Sequence, residues 1–466
     1  MSLPARLPSV FVLVASATFA TAQGLPPEVE AALARAKLPR EALSVLVVDA
    51  EGQVAPRASY RAGVPVNPAS VAKLVTTYAA LEQLGPAFTW STPVVVDGTV
   101  QGGTLTGNVY IQGQGDPELV MERLWLLLRR LLGLGIQQIQ GDIVLDRSAF
   151  EPIVQDPGAF DGEPLRPYNA SPDALLLNFK SVVMTFTPDR NGRALVQYEP
   201  PLAGVQMAPS VPAPAGECGD WRGGLKADFS DAGRIRFAGA YPASCGERAW
   251  PVAYADPKSY AARAIAGLWA EMGGKLSGQV RDGKLPAGLR PSFTVQSPSL
   301  AEVVRDINKF SNNVMAQQLF LTLSLQRNGV GTRQGSRELV RAWWRERVGG
   351  EPPAIDNGSG LSRDERITAQ QLARLLQVAW ASPLMPELMS SLPVAGADGT
   401  LHRMRGRSAG LAHLKTGSLR DVAAVAGYVH AASGRRYVLV AIANHPNAAA
   451  ARPAIDALVD WTARDR

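Results

Sequence analysis

The strongest constraint on the fold of this chain is that two strand-and-helix stretches are separated by a long segment of different composition. Residues 23–88 carry an apolar strand pattern followed by a helix pattern, and both patterns return within 258–466. Between them lie short β-rich segments and a region rich in Pro and Gly. The sequence therefore predicts a discontinuous α/β domain into which other domains are inserted. A chain of 466 residues has room for about three domains.

The predicted domain boundaries follow these changes in residue pattern. Residues 23–88 and 258–466 form the discontinuous domain, and 89–150 form a second, inserted domain. Residues 151–257 form a third, β-rich module that contains both cysteines of the chain.

Local signals predict where several elements begin and end. Asn67 is a good N-cap and Gly85-Pro86 is a stop signal, so a helix is predicted from Asn67 to Leu84. Turns are predicted at Asp97-Gly98 and Gly102-Gly103, between short strands of the second domain.

The first 22 residues predict an export signal. Arg6 precedes an apolar run from Val10 to Ala20, and Ala20-Thr21-Ala22 fits an A-x-A cleavage site. We expect cleavage after about Ala22 and a periplasmic location. In an oxidising compartment, Cys218 and Cys245 are predicted to form a disulfide.

Charge and hydropathy limit the classes of binding partner that the sequence predicts. Lys and Arg number 47 against 41 Asp and Glu, a formal net charge of +6, and these charges are spread along the chain. A mild, dispersed excess does not predict nucleic-acid binding. The apolar stretch from Leu124 contains Arg129 and Arg130, which predicts an amphipathic helix and no integral membrane span in the mature chain.

Three short motifs stand out, widely separated along the chain. They are Ser70-Val71-Ala72-Lys73, Ser311-Asn312-Asn313 and Lys415-Thr416-Gly417. Each alone is common: the first is typical of a solvated helix start, the second of a helix cap and the third of a turn. Together and in this order, with the first at a helix start and the third before a hairpin, they predict one catalytic cleft between helices and a sheet.

The first motif predicts a serine nucleophile with a lysine base. Ser70 and Lys73 are three residues apart in a predicted first helical turn, so their side chains share one face. A serine hydroxyl needs a nearby base, and lysine acts as one only when it is partly neutral. The helix dipole and a cation such as Lys415 are expected to lower the pKa of Lys73. The Ser70 amide lacks an intrahelical partner and is a candidate oxyanion donor.

The middle motif predicts a proton relay. Ser311 lies in a break between two predicted helices, from which its hydroxyl would project into the cleft. We expect it to pass a proton between Lys73 and the leaving amine. Asn313 is expected to donate to the substrate amide and to hold Lys73.

The last motif predicts a substrate-binding edge strand. Lys415 and Thr416 are expected to bind a terminal carboxylate, and Gly417 to let a substrate backbone approach closely. The Ser418 amide is predicted to complete the oxyanion hole.

The motifs and several longer segments resemble the D-alanyl-D-alanine carboxypeptidase/endopeptidase family of class C low-molecular-mass penicillin-binding proteins. The similar segments are QGQGDPEL from Gln112, GDIVLDRSAF from Gly141, DNGSGLSR from Asp356, DGTL from Asp398 and LKTGSLRDVAAVAGYV from Leu414. The resemblance extends over most of the mature chain. Family members have Asp or Asn at the position of Asn312, so this residue departs little from the family pattern.

The resemblance implies a penicillin-recognising domain whose antiparallel sheet is flanked by helices, with a second domain inserted into it and a third inserted into the second. It implies a serine peptidase that acts through an acyl-enzyme on Ser70. The substrates would be peptidoglycan stem peptides and cross-links, cleaved as a D-Ala-D-Ala carboxypeptidase, a DD-endopeptidase or both. β-Lactams would be covalent inhibitors, and neither a cofactor nor a metal is implied. A homodimer is left open.

Two further candidate substrate-binding residues are implied by the resemblance alone. Asp146 corresponds to an acidic residue that family members use near the side chain of the peptide's dibasic residue. Arg363 would lie beside the same pocket. The ordinary alternatives are a strand-end turn residue for Asp146 and a surface ion pair for Arg363.

Other interpretations stay open. Gly406–Gly410 fits G-x-S-x-G, with Asp421, His430 and His445 following in α/β-hydrolase order, but its Arg- and Gly-rich flanks do not predict the strand and helix that this motif needs. None of the four histidines has metal-ligand spacing such as HExxH. A β-lactamase or esterase on the same scaffold and a non-catalytic penicillin-binding wall protein are the remaining alternatives. An intact Ser70–Lys73 pair argues against the non-catalytic protein.

Overall fold

The computed structural model describes residues 24–52, 54–153 and 155–466. The predicted export signal over 1–22 lies outside the described residues. We call residues 24–88 and 297–466 the five-stranded region, and residues 89–296 the inserted region.

The helices and strands fall into three successive stretches of the chain. Before the insertion the chain forms α1 (Pro27–Arg35), β1 (Leu43–Asp49), β2 (Ala58–Tyr60), the 3-10 turn Ala69–Ala72 and α2 (Lys73–Leu84). The inserted region forms β3 (Ser91–Gln101), β4 (Thr104–Gln112), α3 (Met121–Gly133), β5 (Gln138–Ile139), β6 (Ile143–Asp146), β7 (Ser181–Pro188), β8 (Arg193–Glu199), β9 (Gln206–Met207), β10 (Ser210–Pro212), α4 (Trp221–Gly224), β11 (Ala227–Asp228), β12 (Arg234–Phe237), β13 (Arg248–Ala253), α5 (Tyr260–Glu271), β14 (Lys275–Leu276), β15 (Val280–Asp282) and β16 (Phe293–Gln296). The chain then forms α6 (Leu300–Phe310), α7 (Asn313–Asn328), α8 (Arg333–Arg347), α9 (Ala369–Trp380), α10 (Met385–Ser391), β17 (Ala412–Leu419), β18 (Val422–His430), β19 (Arg436–Asn444) and α11 (Arg452–Ala463).

The five-stranded region is built on an antiparallel sheet in the order β17-β18-β19-β1-β2. Side chains of β1 alternate between its two faces. Leu46 and Val48 pack into the apolar cluster that includes α2 and α7, whereas Val45 and Val47 pack with α1 and α11. Because helices cover both faces of the sheet, β1 is apolar almost throughout. β17 stands at one end of the strand order and is therefore an edge strand of this sheet.

The inserted region contains three sheets. A seven-stranded sheet has the order β14-β5-β4-β3-β16, with β6 pairing both β4 and β15. A four-stranded sheet, β10-β8-β7-β13, and a three-stranded sheet, β11-β12-β9, account for the β-rich character predicted after residue 150. One apolar cluster connects these sheets with α3 and α5.

This arrangement corrects one predicted boundary. The returning helical pattern led us to assign residues 258–296 to the discontinuous domain. In the structure, α5 packs into the apolar cluster of the inserted region, and β16 pairs with β3. A helix pattern shows which face is apolar but not which sheet it covers, so the boundary lies after Gln296.

The turn predicted at Asp97-Gly98 is also wrong, because β3 continues through both residues. Gly98 lies opposite Gly107, and a Cβ on Gly98 would be 2.3 Å from the carbonyl oxygen of Thr106. The glycine therefore allows two strands to approach closely. The turn at Gly102-Gly103 is confirmed as the connection between β3 and β4.

Cys218 and Cys245 form the predicted disulfide within the inserted region, with their Cα atoms 4.8 Å apart. Within the described ranges, the structure has no helix with both the length and the apolar character needed to cross a bilayer.

Candidate active site

Ser70 and Lys73 meet at the start of α2. The Oδ1 atom of Asn67 accepts a hydrogen bond from the Ala69 amide at 2.9 Å, and Ser70 lies in the 3-10 turn that follows. The α-helix itself begins at Lys73, later than the predicted start at Asn67. The two side chains still share one face, with the Lys73 Nζ atom 2.9 Å from the Ser70 Oγ atom.

Lys73 is fully buried, and its ammonium group contacts three elements. Besides Ser70, its Nζ donates to the Oδ1 atom of Asn313 at 2.6 Å and to the carbonyl oxygen of Ser359 at 2.5 Å. Burial lowers the pKa of Lys73 to about 7, and the nearby carboxylate of Glu365 acts in the opposite direction. Burial is thus the main cause, rather than the helix dipole and second cation expected from the sequence.

The middle motif forms the junction of two helices. Ser311 ends α6 in the left-handed conformation, with φ of 58°, and Asn312 caps α7 by accepting from the Met315 amide. Ser311 Oγ accepts from Lys415 Nζ at 2.8 Å. The hydroxyl that we expected to contact Lys73 is therefore bonded to Lys415, while Asn313 holds Lys73.

Lys415 lies on β17 and is also fully buried. Its Nζ donates to Ser311 Oγ and to the carbonyl oxygen of Thr416, each at 2.8 Å. Burial, and then the charge of Lys73, lower the pKa of Lys415 well below its ordinary value.

The edge strand β17 lies directly against the Ser70 turn. A Cβ on Gly417 would be 2.8 Å from the Pro68 carbonyl oxygen and 3.1 Å from the Ser70 amide nitrogen. Gly417 thus admits the Ser70 turn, whereas we had expected it to admit a substrate backbone.

The hydrogen-bond pattern of β17 leaves one row of amides on its open side. The Leu414 amide donates to the Pro393 carbonyl, away from β18. Because amides alternate along an antiparallel strand, those of Thr416 and Ser418 point to the same open side. The Ser418 amide is therefore on the side of the strand from which a substrate could bind.

The remaining predicted residues lie around this centre. Thr416 Oγ1 is 2.7 Å from Thr400 Oγ1, and the exposed Ser418 accepts from Arg452 through its hydroxyl at 3.0 Å. Arg363 is half exposed, pairs with Asp421 at 3.2 Å, and stacks 4.7 Å from the ring centre of Phe160.

Asp146 lies in the inserted region and is buried. Its carboxylate accepts from the Ser148 and Leu285 amides, each at 2.9 Å. Burial raises the pKa of Asp146, but the Ser148 side chain, these two amides and the charge of Lys284 outweigh it and hold the pKa below its ordinary value. Asp146 lines a cavity of about 1200 Å³, and no motif residue or Arg363 is among the described residues that line it.

Sequence reasoning missed that residues 356–365 form a segment that contacts Lys73 through the Ser359 carbonyl. Glu365 is completely buried and accepts from the Asp356 and Asn357 amides. Burial raises the pKa of Glu365 to about 7, partly offset by these amides and by Lys73. The charged neighbours Asp364 and Arg366 are exposed, so the sequence offered no signal that Glu365 is inside.

The G-x-S-x-G segment does not form a second site. Ser408 is buried in a turn, without the flanking strand and helix, and its amide donates to Asp460. In the described part of the chain, no three His, Cys, Asp or Glu side chains are grouped to hold a metal ion.

The site thus has a serine, Ser70, hydrogen-bonded to the buried Lys73, and a second buried lysine, Lys415, on the edge strand of a sheet. This arrangement defines a serine hydrolase of the penicillin-recognising class. The sequence pattern of the D-Ala-D-Ala carboxypeptidase 3 (S13) family matches residues 25–465, so the chain belongs to this family. The predicted serine-type D-Ala-D-Ala carboxypeptidase, acting on peptidoglycan, is thereby confirmed.

Two relatives illustrate the match. The chain is 25% identical over 400 residues to the D-alanyl-D-alanine carboxypeptidase DacB of Haemophilus influenzae, covering 83% of this chain and 82% of that protein. It is 28% identical over 454 residues to the D-alanyl-D-alanine carboxypeptidase of Actinomadura sp. (strain R39), covering 93% and 83%.

Solved structures share the fold. Penicillin binding protein 4 (dacB) of Haemophilus influenzae aligns with a TM-score of 0.74 at 23% identity, covering 93% of this chain and 98% of that one. The predatory endopeptidase Bd0816 of Bdellovibrio bacteriovorus aligns with a TM-score of 0.53 at 15% identity, covering 90% and 92%. The predicted α/β, penicillin-recognising fold is confirmed.

Proposed function

We propose that this DD-peptidase works through an acyl-enzyme on Ser70, with Lys73 as its base. Ser70 Oγ attacks the carbonyl carbon of the penultimate D-alanine while Lys73 takes the hydroxyl proton. The C–N bond to the terminal residue then breaks. The observation that carries the proposal is the 2.9 Å contact between Ser70 Oγ and the Nζ atom of a fully buried lysine.

Ser311 is proposed to protonate the leaving nitrogen. Its hydroxyl oxygen accepts from Lys415 Nζ, so its own proton is free to be given away. Ser311 then regains a proton from Lys73, so the proton removed from Ser70 is in effect carried to the leaving amine and both side chains return to their starting protonation states. Water then attacks the ester, gives a proton to Lys73, and the proton returns to Ser70 as the acid product leaves.

The developing oxyanion is proposed to bind the amides of Ser70 and Ser418. Gly417 supports this assignment, because its missing side chain lets β17 lie against the Ser70 turn. Two such preorganised N–H donors act where the charge appears in the transition state.

The free carboxylate of the peptide is proposed to bind Lys415 and Thr416. Burial favours the neutral form of Lys415, and a bound carboxylate would favour its protonated form, whose ammonium has three donors. Two of these donors are engaged by Ser311 and the Thr416 carbonyl. The third remains for an anionic substrate group.

Asp146 and Arg363 are proposed to lie near the free amine of the substrate's diaminopimelate or lysine side chain. The argument for Asp146 is that its carboxylate stays charged at the edge of a large cavity and has lone pairs beyond the two used by backbone amides. Arg363 does not line this cavity, so its proposed place beside the same pocket rests on the family resemblance alone.

The enzyme is proposed to be exported and to act in the periplasm, on stem peptides and on cross-links, with β-lactams as covalent inhibitors. A penicillin G-acylated structure of the Bdellovibrio bacteriovorus endopeptidase Bd3459, which shares the fold at a TM-score of 0.52 and 18% identity, is consistent with the inhibitor assignment. The predicted export signal and the Cys218–Cys245 bond support the location.

The test is to incubate the enzyme with a pentapeptide ending in D-Ala-D-Ala and with a cross-linked peptide dimer, and to separate the products by chromatography. Release of D-alanine measures carboxypeptidase activity, and splitting of the dimer measures endopeptidase activity. Ser70→Ala should abolish both, whereas Ser408→Ala, which alters the serine of the unrelated G-x-S-x-G segment, should abolish neither.

The same samples separate the alternatives. A protein that binds penicillin stably but cleaves neither peptide would be a non-catalytic binding protein. One that hydrolyses its penicilloyl adduct within seconds and cleaves neither peptide would be a β-lactamase.

A further inference from the structure

A buried carboxylate lies beside the base, and the proposed mechanism does not use it. Glu365 has no exposed surface. Its Oε1 atom accepts from the Asp356 amide at 3.0 Å and from the Asn357 amide at 3.4 Å, while its buried Oε2 atom has no hydrogen-bond partner among the described residues. A buried carboxylate with a free oxygen is costly, so its retention calls for a compensating interaction.

A continuous set of hydrogen bonds leads from Glu365 to Lys73. The amide of Asn357 donates to Glu365, and the Asn357 Oδ1 atom accepts from both the amide and the hydroxyl of Ser359, at 3.0 and 2.7 Å. The carbonyl oxygen of Ser359 in turn accepts from Lys73 Nζ. Two residues therefore connect the carboxylate to the ammonium group of the base.

The segment 356–361 also fits closely against the Ser70 turn. A Cβ on Gly360 would lie 2.0 Å from the Ala69 carbonyl oxygen and 2.9 Å from the Ser70 Cα atom. Thr76 Oγ1 on α2 donates to the Gly358 carbonyl at 2.7 Å. Any displacement of this segment would therefore move the nucleophile and the base.

The charges around Glu365 make Lys73 its natural counterion. The charged groups that act on Glu365 are Lys73 and Asp356, and Asp356 is already paired with Arg337. Lys73 and Lys415 repel each other when both are charged. Glu365 is thus the acidic group that offsets the charge of the base.

We propose that Glu365 is a positioning residue for acylation: its carboxylate holds the 356–361 segment against the Ser70 turn and acts as the buried counterion of Lys73. The proposal rests on Lys73 being the base, as proposed above. The pair gains and loses protons as one unit, because ionisation of either partner favours the charged form of the other.

This role has a predictable effect on the pH profile. A negative charge near Lys73 raises the pKa of Lys73 and so restricts the neutral, basic form to higher pH. Removing that charge should lower the pKa of Lys73. The acid limb of the acylation rate should then move to lower pH.

The first experiment measures the second-order rate of acylation by benzylpenicillin between pH 5 and 9. The variants are Glu365→Gln, which keeps an acceptor oxygen but no charge, and Glu365→Asp, which keeps the charge. Asp364→Asn removes a charge from the adjacent, exposed position as the matched control. We expect the acid limb of Glu365→Gln to move down by about one pH unit, and the limbs of Glu365→Asp and Asp364→Asn to stay within about 0.3 units of wild type.

A uniform loss of rate at every pH, with the limb unmoved, would mean that Glu365 only supports the loop, and it would overturn the proposal. An equal shift in Asp364→Asn would overturn it too, because any nearby charge would then suffice. Failure of the wild type to be acylated would refute the proposed function instead. The second experiment measures stability and therefore tests the Glu365–Lys73 interaction without relying on acylation.

The second experiment measures thermal stability in a double-mutant cycle. Lys73→Met leaves Glu365 buried without a counterion, which raises its folded-state pKa further above the unfolded value. Tm of Lys73→Met should therefore fall by several degrees between pH 5 and pH 8, relative to the Lys73→Met/Glu365→Gln double variant. Parallel Tm curves for Lys73→Met and the double variant would overturn the proposal, as would failure of both Glu365→Gln and the double variant to fold. If the double variant folds and Lys73→Met does not, the result supports the proposal.

Discussion

The four buried lysines of the described chain fall into two groups. Lys180 in the inserted region and Lys309 on α6 each have a carboxylate partner, Asp173 at 3.0 Å and Asp398 at 2.6 Å. Among the residues that the structure describes, no carboxylate lies within 4 Å of Lys73 or Lys415, and the two side-chain nitrogens donate to side-chain oxygens and backbone carbonyls.

The difference shows where the molecule uses burial for chemistry. A buried ammonium that is paired keeps its charge, whereas an unpaired one is pushed towards its neutral form. In the inserted region the buried lysine forms an ion pair with Asp173, so it has a structural role. In the site neither lysine has a carboxylate in direct contact, and Glu365 acts on Lys73 only from a greater distance. Burial therefore outweighs this charge and leaves a base that is partly neutral near pH 7.

The sharpest test of this comparison exchanges one lysine from each group for methionine. Lys73→Met should lower the penicillin acylation rate by about a thousandfold or more, because the serine loses its base. Lys180→Met should change that rate by less than about twofold and lower Tm instead, because Asp173 loses one of its two cationic partners. Comparable rate losses in both variants would erase the distinction.

The pH dependence of the wild type tests whether the unpaired lysine is the base. Lys73 must be neutral to accept the Ser70 proton, and its folded-state pKa is lowered to about 7. The acylation rate should therefore fall by about tenfold per pH unit below pH 7 and level off above it. A rate that stays flat from pH 5 to 8 would show that the group that accepts the proton is not Lys73.

A smaller effect is expected at Asp146, a buried carboxylate of the inserted region. Asp146→Asn should lower kcat/KM for peptides with a free side-chain amine by about ten- to a hundredfold, and change penicillin acylation by less than about twofold. An N-acetylated peptide is the control, since it lacks the amine. Equal losses on all three ligands would mean that Asp146 supports the fold, through the Ser148 and Leu285 amides, and does not bind substrate.

The smallest catalytic effect is expected from the disulfide. Reducing Cys218–Cys245 should cost on the order of 3 kcal/mol of stability in the loop-entropy model. Because the bond lies in the inserted region, acylation at 25 °C should change by less than about twofold while Tm falls. The check is a thermal melt and an acylation assay with and without reductant, and loss of acylation at a temperature where the protein is still folded would link the two regions more closely than we expect.

Much of the site could be predicted because its parts are local. The three motifs each place their residues within one turn or one strand, and the order of helix start, helix break and edge strand was confirmed. Ser299 and Glu302 form a capping box at the start of α6, as short-range helix signals suggest.

What the sequence could not show depends on tertiary packing. The charged run Arg363–Arg366 looks like surface, and only the folded chain reveals that Glu365 points inward while its neighbours do not. The pKa of Lys73 was attributed to a dipole and a cation because burial has no local signature. Likewise, α5 has a clear helix pattern, but its assignment to the inserted region depends on which sheet it covers.

The most direct test of the central claim is the intact mass of the protein after incubation with benzylpenicillin, followed by peptide mapping. The wild type should gain one penicilloyl group on the peptide that contains Ser70, and Lys180→Met should gain the same group at a similar rate. Ser70→Ala should gain none. No adduct on the wild type, or an adduct on a peptide without Ser70, would contradict the account.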